Sequence, residues 1–406
     1  MNLRARLSSH YLILGLSQGI LLCVITLFMT EKGLQLGQIG VAYGVYSATT
    51  MLLELPLGAA ADLYGRIRVF RWSLLINVGS LLLATFSEAY VLILAALSLM
   101  GAARALESGS VSAWEIEQIR SVGEENMLTS YLSRFQALNA IGIAIGALLG
   151  GYIPDLFLHH FPGYILPASS NLLVVAAITS LHILLLPFLF REGDTIQPRQ
   201  KKTNVIEQIK AGILHGTHNH AMRSLLSVSV CLGMVLSTLE AYWQPYLKAL
   251  ATPGSYALFG WVTTGYFLSA AIGPAFYSFL DSRVNVKSSL TITAILSMSA
   301  VILFALSNTQ STSTFAVSYF SFMAIFTCIH IPVNVMLNLQ TNDNVRSTTH
   351  SIMSLTLHAG SALAAFGFAP IVQAWGIASV WRLLAGFLLT FAISRQIKWR
   401  QKVVRA

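Results

Sequence analysis

The sequence predicts an all-α integral membrane protein with twelve transmembrane helices in two six-helix bundles. Three observations carry that expectation: a composition poor in charge, long unbroken apolar runs, and basic residues that collect on alternate sides of those runs. Of the 406 residues, 55% are hydrophobic and only 10% are charged, against about 25% in an ordinary soluble domain. A surface kept in water needs more charge than this, so much of the surface faces lipid. The 29 glycines suit helices that pack closely in a bilayer.

A helix crosses the hydrocarbon core with about 20 mostly apolar residues. Such runs occur at about 10–30, 37–57, 72–88, 90–112, 130–152, 165–190, 222–244, 256–279, 288–307, 313–337, 348–372 and 377–395. They are continuously apolar, whereas barrel strands would alternate over about 10 residues. The long polar exception holds Arg191, Arg199, Lys201, Lys202 and Lys210. It divides the chain into an N-terminal bundle (1–190), a linker (191–221) and a C-terminal bundle (222–406). Within the linker, Ile206, Ile209, Ile213 and Leu214 recur at helical spacing, which predicts a short amphipathic helix on the membrane surface.

The net charge of +9 is a topology signal rather than a nucleic-acid footprint, because the basic residues lie between the apolar runs. One side collects Arg4, Arg6, Arg66, Arg68, Arg71, Arg120, the linker cluster and the basic C-terminal tail; the other keeps Lys32, Lys248 and Arg382. Both termini are therefore expected in the cytoplasm, in a multi-pass protein of the cell membrane (the inner membrane of a Gram-negative cell). Cys23, Cys231 and Cys328 lie far apart in apolar runs and form no disulfide framework. The first apolar run has no small-residue cleavage site before the next span, so no cleavable signal peptide is expected.

Between the second and third runs the chain reads Gly58, three alanines, Asp62, Leu-Tyr, Gly65, Arg66, Ile, Arg68. A merely basic loop explains the arginines but not the aspartate and both glycines. This segment resembles the signature loop of the major facilitator superfamily, and the six-plus-six layout extends the resemblance to the whole chain. The resemblance implies that Gly58, Asp62, Gly65, Arg66 and Arg68 form a latch holding the two halves in the outward-facing state. The corresponding loop of the second half keeps Asp281 and Lys287 but has lost both glycines and the first arginine. Arg104, Glu107 and Gly109 resemble the family's pattern in the fourth span, with one residue extra. Gly142, Gly146, Gly150 and Gly151 resemble the fifth-span signature of drug:proton antiporters, although Ala147 stands where proline is usual. The same glycines also read as a helix-packing stripe, and both readings stay open. Glu54 and Pro56, just before the loop, are similar to a stretch in bacterial efflux carriers of the macrolide and tetracycline type.

Charges at bilayer depth are costly and point to function. Glu54, Arg104 and Glu107 are the candidates for proton coupling, since a carboxylate in an apolar site holds its proton and a neighbouring arginine releases it. Arg104 and Glu107 share a helix face and could equally neutralise one another. Glu240, Tyr242 and Trp243 are cavity candidates for an organic cation, with Tyr43, Tyr46 and His358 beside them. An aromatic belt at the membrane interface is the favoured alternative for Trp243 and Tyr246. His215, His218 and His220 lack the cysteine or carboxylate companions of a metal site.

No phosphate-binding loop, zinc-protease helix or hydrolase elbow is present, so an enzyme is not expected. The resemblance implies a proton-coupled carrier, active as a monomer, whose partners are a small-molecule substrate, protons and the lipid bilayer. It implies no cofactor beyond the proton gradient. The efflux-like stretch favours export of a drug, toxin or secreted metabolite such as a siderophore. Uptake of a nutrient, or a transport-inactive sensor on the same fold, are the alternatives.

Overall fold

The computed structural model describes residues 3–190 except 109, 122, 162 and 164, and residues 220–251, 256–284, 288–340 and 346–405. The expected linker helix and the histidine cluster at 215 and 218 lie outside these residues. The chain is helical throughout the described part. The helices are α1 (Leu3–Leu22), α2 (Ile25–Glu31), α3 (Leu36–Tyr64), α4 (Arg66–Phe86), α5 (Tyr90–Ser108), α6 (Val111–Ser121), α7 (Leu128–His160) and α8 (Ser169–Leu189). After the linker come α9 (His220–Leu250), α10 (Ala257–Val284), α11 (Ser288–Leu306), α12 (Thr312–Phe326), α13 (His330–Gln340) and α14 (Arg346–Arg405). α1 with α2 makes one span, and so does α12 with α13. α14 makes two, because Gly376 breaks it with φ 77° and ψ 173°, a conformation open to glycine. The described helices thus supply the twelve expected spans.

Several boundaries differ from the sequence reading, and two of them bear on the site. The third span begins at Arg66 rather than near 72. The fourth stops at Ser108 rather than 112, and α6 follows as a separate helix. The hydroxyls of Ser108 and Ser110 donate back to the carbonyls of Ala105 (3.1 Å) and Glu107 (2.9 Å), a local bond that competes with helix continuation.

The chain divides into two compact units: residues 1–210 with 255–264, and residues 211–254 with 265–406. In the first unit α1 crosses α7 with almost no side chain between them. A Cβ at Gly142 would stand 2.7 Å from the Leu12 carbonyl oxygen, and one at Gly146 would collide with that of Leu16. Gly150 meets Ile20 and Cys23 in the same way, so the predicted glycine stripe faces α1. From α8 the amide of Asn171 donates to the carbonyls of Ile20 (2.9 Å) and Gly150 (2.8 Å), tying three helices together. The first turns of α10 join this unit as well: Gly260 lies against Gly151, and the Thr264 hydroxyl donates to the Ala144 carbonyl at 3.2 Å.

The second unit repeats the device. Gly233 on α9 abuts the Leu357 carbonyl, and Gly360 on α14 abuts that of Val230. The hydroxyls of Ser361 and Ser229 donate across the crossing to Gly233 (3.1 Å) and Met353 (2.7 Å). Spans one and five, and then seven and eleven, therefore pair alike, as an internal repeat requires.

A side chain forced into such a crossing costs about 1–3 kcal/mol. Gly146→Leu should lower the thermal midpoint of the detergent-solubilised protein, whereas Gly79→Leu, with nothing within 4 Å of the added Cβ, should leave it near wild type. Equal midpoints for the two variants would refute the packing account.

Candidate functional site

The sequence candidates of the second and fourth spans meet because α5 approaches α3 at a glycine. A Cβ on Gly101 would stand 2.6 Å from the Tyr46 carbonyl oxygen. Beside it the Thr50 hydroxyl donates to the Gly101 carbonyl (3.2 Å), and Thr49 bonds Ser98 (3.1 Å). One turn further along these helices stand Glu54 and Arg104. The Arg104 guanidinium donates to the Glu107 carboxylate at 3.3 Å, and Glu54 and Tyr46 also act on its charge. Tyr46, Glu54, Arg104 and Glu107 thus form one polar patch. Within it Arg104 is the open partner, with 47% of its side chain exposed against 21% for Glu107. Tyr43 is separately engaged, its hydroxyl 2.9 Å from that of Thr26.

In the signature loop, Gly65 joins α3 to α4 in a single residue with φ 92°, a conformation that penalises any side chain. Arg66 then opens α4 and donates to Glu117 of α6 at 3.0 Å, while Arg68 is exposed. Gly58 and Asp62 lie on α3, Asp62 in its last turn, and their side chains fall outside the described set. The sequence reading missed Glu117. Its signal was an acidic residue soon after the fourth span, in a stretch read there as loop.

A second polar group beneath this loop also went unnoticed. Glu115 on α6 is fully buried, and the Tyr11 hydroxyl of α1 donates to one of its oxygens at 2.8 Å. Glu115 lies beyond the apolar window of the fourth span, and there burial pushes its carboxyl up to about 7 while the Tyr11 bond opposes the rise. Nearby, His10 and His182 are buried and share a hydrogen bond of 3.1 Å. The His10 ring packs edge-on against Tyr11, Phe70 and Phe190.

In the second unit Glu240 is exposed on α9, and its charge reaches Tyr266. Tyr266 lies 5.7 Å from the Tyr319 ring, on which Trp243 stacks at 5.7 Å. Trp243 is only 5% exposed, which corrects the expectation of a lipid-facing belt: ring stacking inside the bundle buries it. Tyr246 is likewise turned inward, donating to the Thr309 carbonyl at 3.0 Å and packing 4.7 Å from Trp381. Tyr242 is buried in the core, and His358 is half-buried on α14. Among the described residues no three His, Cys, Asp or Glu side chains come together as a metal site.

A twice-repeated bundle of glycine-crossed spans, with charged groups set inside it, defines a membrane carrier. The chain belongs to the Major Facilitator Superfamily, whose model matches residues 7–253. It is 24% identical over 382 residues to YxaM, an uncharacterized MFS-type transporter of Bacillus subtilis (strain 168), covering 92% of this chain and 90% of that one. Its fold is similar to that of the nucleoside transporter NupG, with a TM-score of 0.79 at 15% identity over 98% of this chain and 99% of that one. It is similar also to a bacterial homologue of the lysosomal transporter Spinster, with a TM-score of 0.71 at 12% identity over 97% and 94%. The protein is accordingly a multi-pass secondary transporter of a small molecule; its family are not enzymes and need no cofactor.

The Arg66–Glu117 pair is partly exposed, at 22% and 38%, so its net worth should be at most about 1 kcal/mol. A double-mutant cycle of Arg66→Gln and Glu117→Gln on thermal stability should give coupling of that size. Strictly additive losses would show that the pair contributes nothing as a pair.

Proposed function

We propose that this transporter is a proton-coupled exporter of a small organic compound. The observation that carries the reading is the patch of Glu54, Arg104 and Glu107 in the first unit. Two carboxylates that share one arginine can exchange it as the helices move. The carboxylate that loses the arginine in an apolar setting binds a proton, and the one that gains it releases its own. Proton binding then depends on conformation, which is the requirement for coupling.

The direction of transport rests on the likeness of the Glu54–Pro56 stretch to efflux carriers. Glu240 with the half-buried Tyr266 supports a substrate bearing a cationic group, through charge and ring-face attraction, while the buried Tyr319 and Trp243 back the Tyr266 ring. The latch role of Gly58, Asp62, Gly65, Arg66 and Arg68 fits the family resemblance and the bond from Arg66 to Glu117. The basic-residue bias puts both termini in the cytoplasm, and the polar linker at 191–221 is the boundary between the two bundles.

Accumulation of a panel of fluorescent and toxic compounds in a pump-deficient bacterial host tests the proposal. Cells carrying the wild type should accumulate less of at least one compound. A protonophore should abolish the difference, and Glu54→Gln or Asp62→Asn should impair it. Equal accumulation across the panel would remove the case for drug export and turn attention to uptake or a dedicated metabolite.

A further inference from the structure

We propose that Glu115 and Tyr11 form a proton-binding site of this carrier, and that the site holds its proton in the conformation described here. Its use in transport rests on the proton-coupled reading above; its existence does not.

The argument begins with the carboxyl group itself. Glu115 has no exposed surface. One oxygen accepts from Tyr11, and the other is buried without a hydrogen-bond partner among the described residues. The described ion pairs join Arg4 to Glu124, Arg66 to Glu117 and Arg104 to Glu107, and none of them reaches Glu115. An ionised carboxylate so enclosed would face a desolvation penalty of several kilocalories with one donor to offset it. A neutral carboxyl leaves only a polar group short of a partner, a far smaller cost.

The surroundings agree. Trp114, the residue before Glu115, belongs to an apolar cluster with Phe70, Phe135, Leu186 and Phe190, so α4, α7 and α8 present apolar side chains there. Of the titratable groups on α1, α4, α7 and α8, the buried ones are Arg6 and His10 on α1, Tyr131 on α7 and His182 on α8, with Tyr11 half-buried; Arg66 on α4 pairs with Glu117, Arg104 and Glu107 on α5 pair with each other, and Arg68, Arg71 and Arg134 are exposed. The two histidines hydrogen-bond each other rather than the carboxyl. Tyr11 stacks on Phe135 at 5.4 Å, which fixes its hydroxyl on Glu115, and it also lies within charge range of Glu107. The tyrosine therefore bonds this carboxyl and also feels the charge of Glu107, which belongs to the Arg104–Glu107 pair of the candidate site.

A purely structural carboxyl would behave alike in Glu115→Gln, since glutamine also accepts from Tyr11. Titration separates the two roles. The measurement is a pH-difference infrared spectrum of the full-length protein in liposomes, without a gradient or substrate. Between about pH 5 and pH 9 the wild type should lose the carbonyl stretch of a buried protonated carboxyl, with a midpoint near 7. Glu115→Gln should lack that component, while Glu54→Gln should retain it. Tyr11→Phe removes the one donor that favours the charged form, so its midpoint should move up by about one pH unit. That second variant decides the matter even where Glu115→Gln fails to fold.

An identical difference spectrum in wild type and Glu115→Gln, or an unmoved midpoint in Tyr11→Phe, would overturn the proposal. The spectrum is independent of transport. A wild type that shows no such titrating band, with protonophore-sensitive export intact, would reject this site alone. Persistence of the band with export indifferent to the protonophore would reject the coupling reading alone.

Discussion

A polypeptide in hydrocarbon must satisfy every backbone amide within itself, because no water is there to do so. That requirement explains why the described chain is helical, and it sets the next problem. Apolar side chains gain nothing by leaving lipid for another helix, so association depends on close contact and on polar groups that find partners. The α1–α7 crossing meets both needs. Glycines bring one backbone against the other, and Asn171 satisfies carbonyls on the two helices at once. The α9–α14 crossing uses glycines with serines instead. The same rule operates where α5 meets α3 at Gly101, and that contact is what sets Arg104 one turn from the threonine pair and level with Glu54.

Charge placement follows from packing rather than the reverse. Arg104 keeps nearly half of its side chain open and bonds a carboxylate three residues on, so the group costs less than a sealed ion would. Glu115 illustrates the opposite solution, a carboxyl with no exposed surface and a single tyrosine hydroxyl as its donor. The two solutions stand on neighbouring helices, α5 and α6, separated by the serine turn that ends the fourth span.

Much of the architecture was legible in the sequence because apolar length and basic-residue bias are properties of consecutive residues. The twelve spans and the glycine-aspartate-glycine-arginine loop could be read directly. The patch joining Tyr46, Glu54, Arg104 and Glu107 was only half legible: spacing of three linked Arg104 to Glu107, but the second span had to be packed on the fourth before Glu54 could join them. Glu115, Glu117 and the His10–His182 pair were hidden for the same reason, since each partner is distant along the chain. Trp243 was misread because a tryptophan near a helix end has one appearance in sequence and two possible environments, lipid headgroups or a stack of rings.

The first turns of α10 belong with the N-terminal unit, with Gly260 seated on Gly151 and Tyr256 donating to Glu31. Ribosomal synthesis therefore cannot complete that unit in chain order. When α7 enters the bilayer, its Gly151 groove is still empty, and the segment that fills it emerges only after the linker and the whole of α9. Until then the half-built unit presents a bare backbone strip to lipid or to the insertion machinery. The interruption of the first unit by the second is thus also a schedule, in which the early helices wait for a late one before their packing is closed.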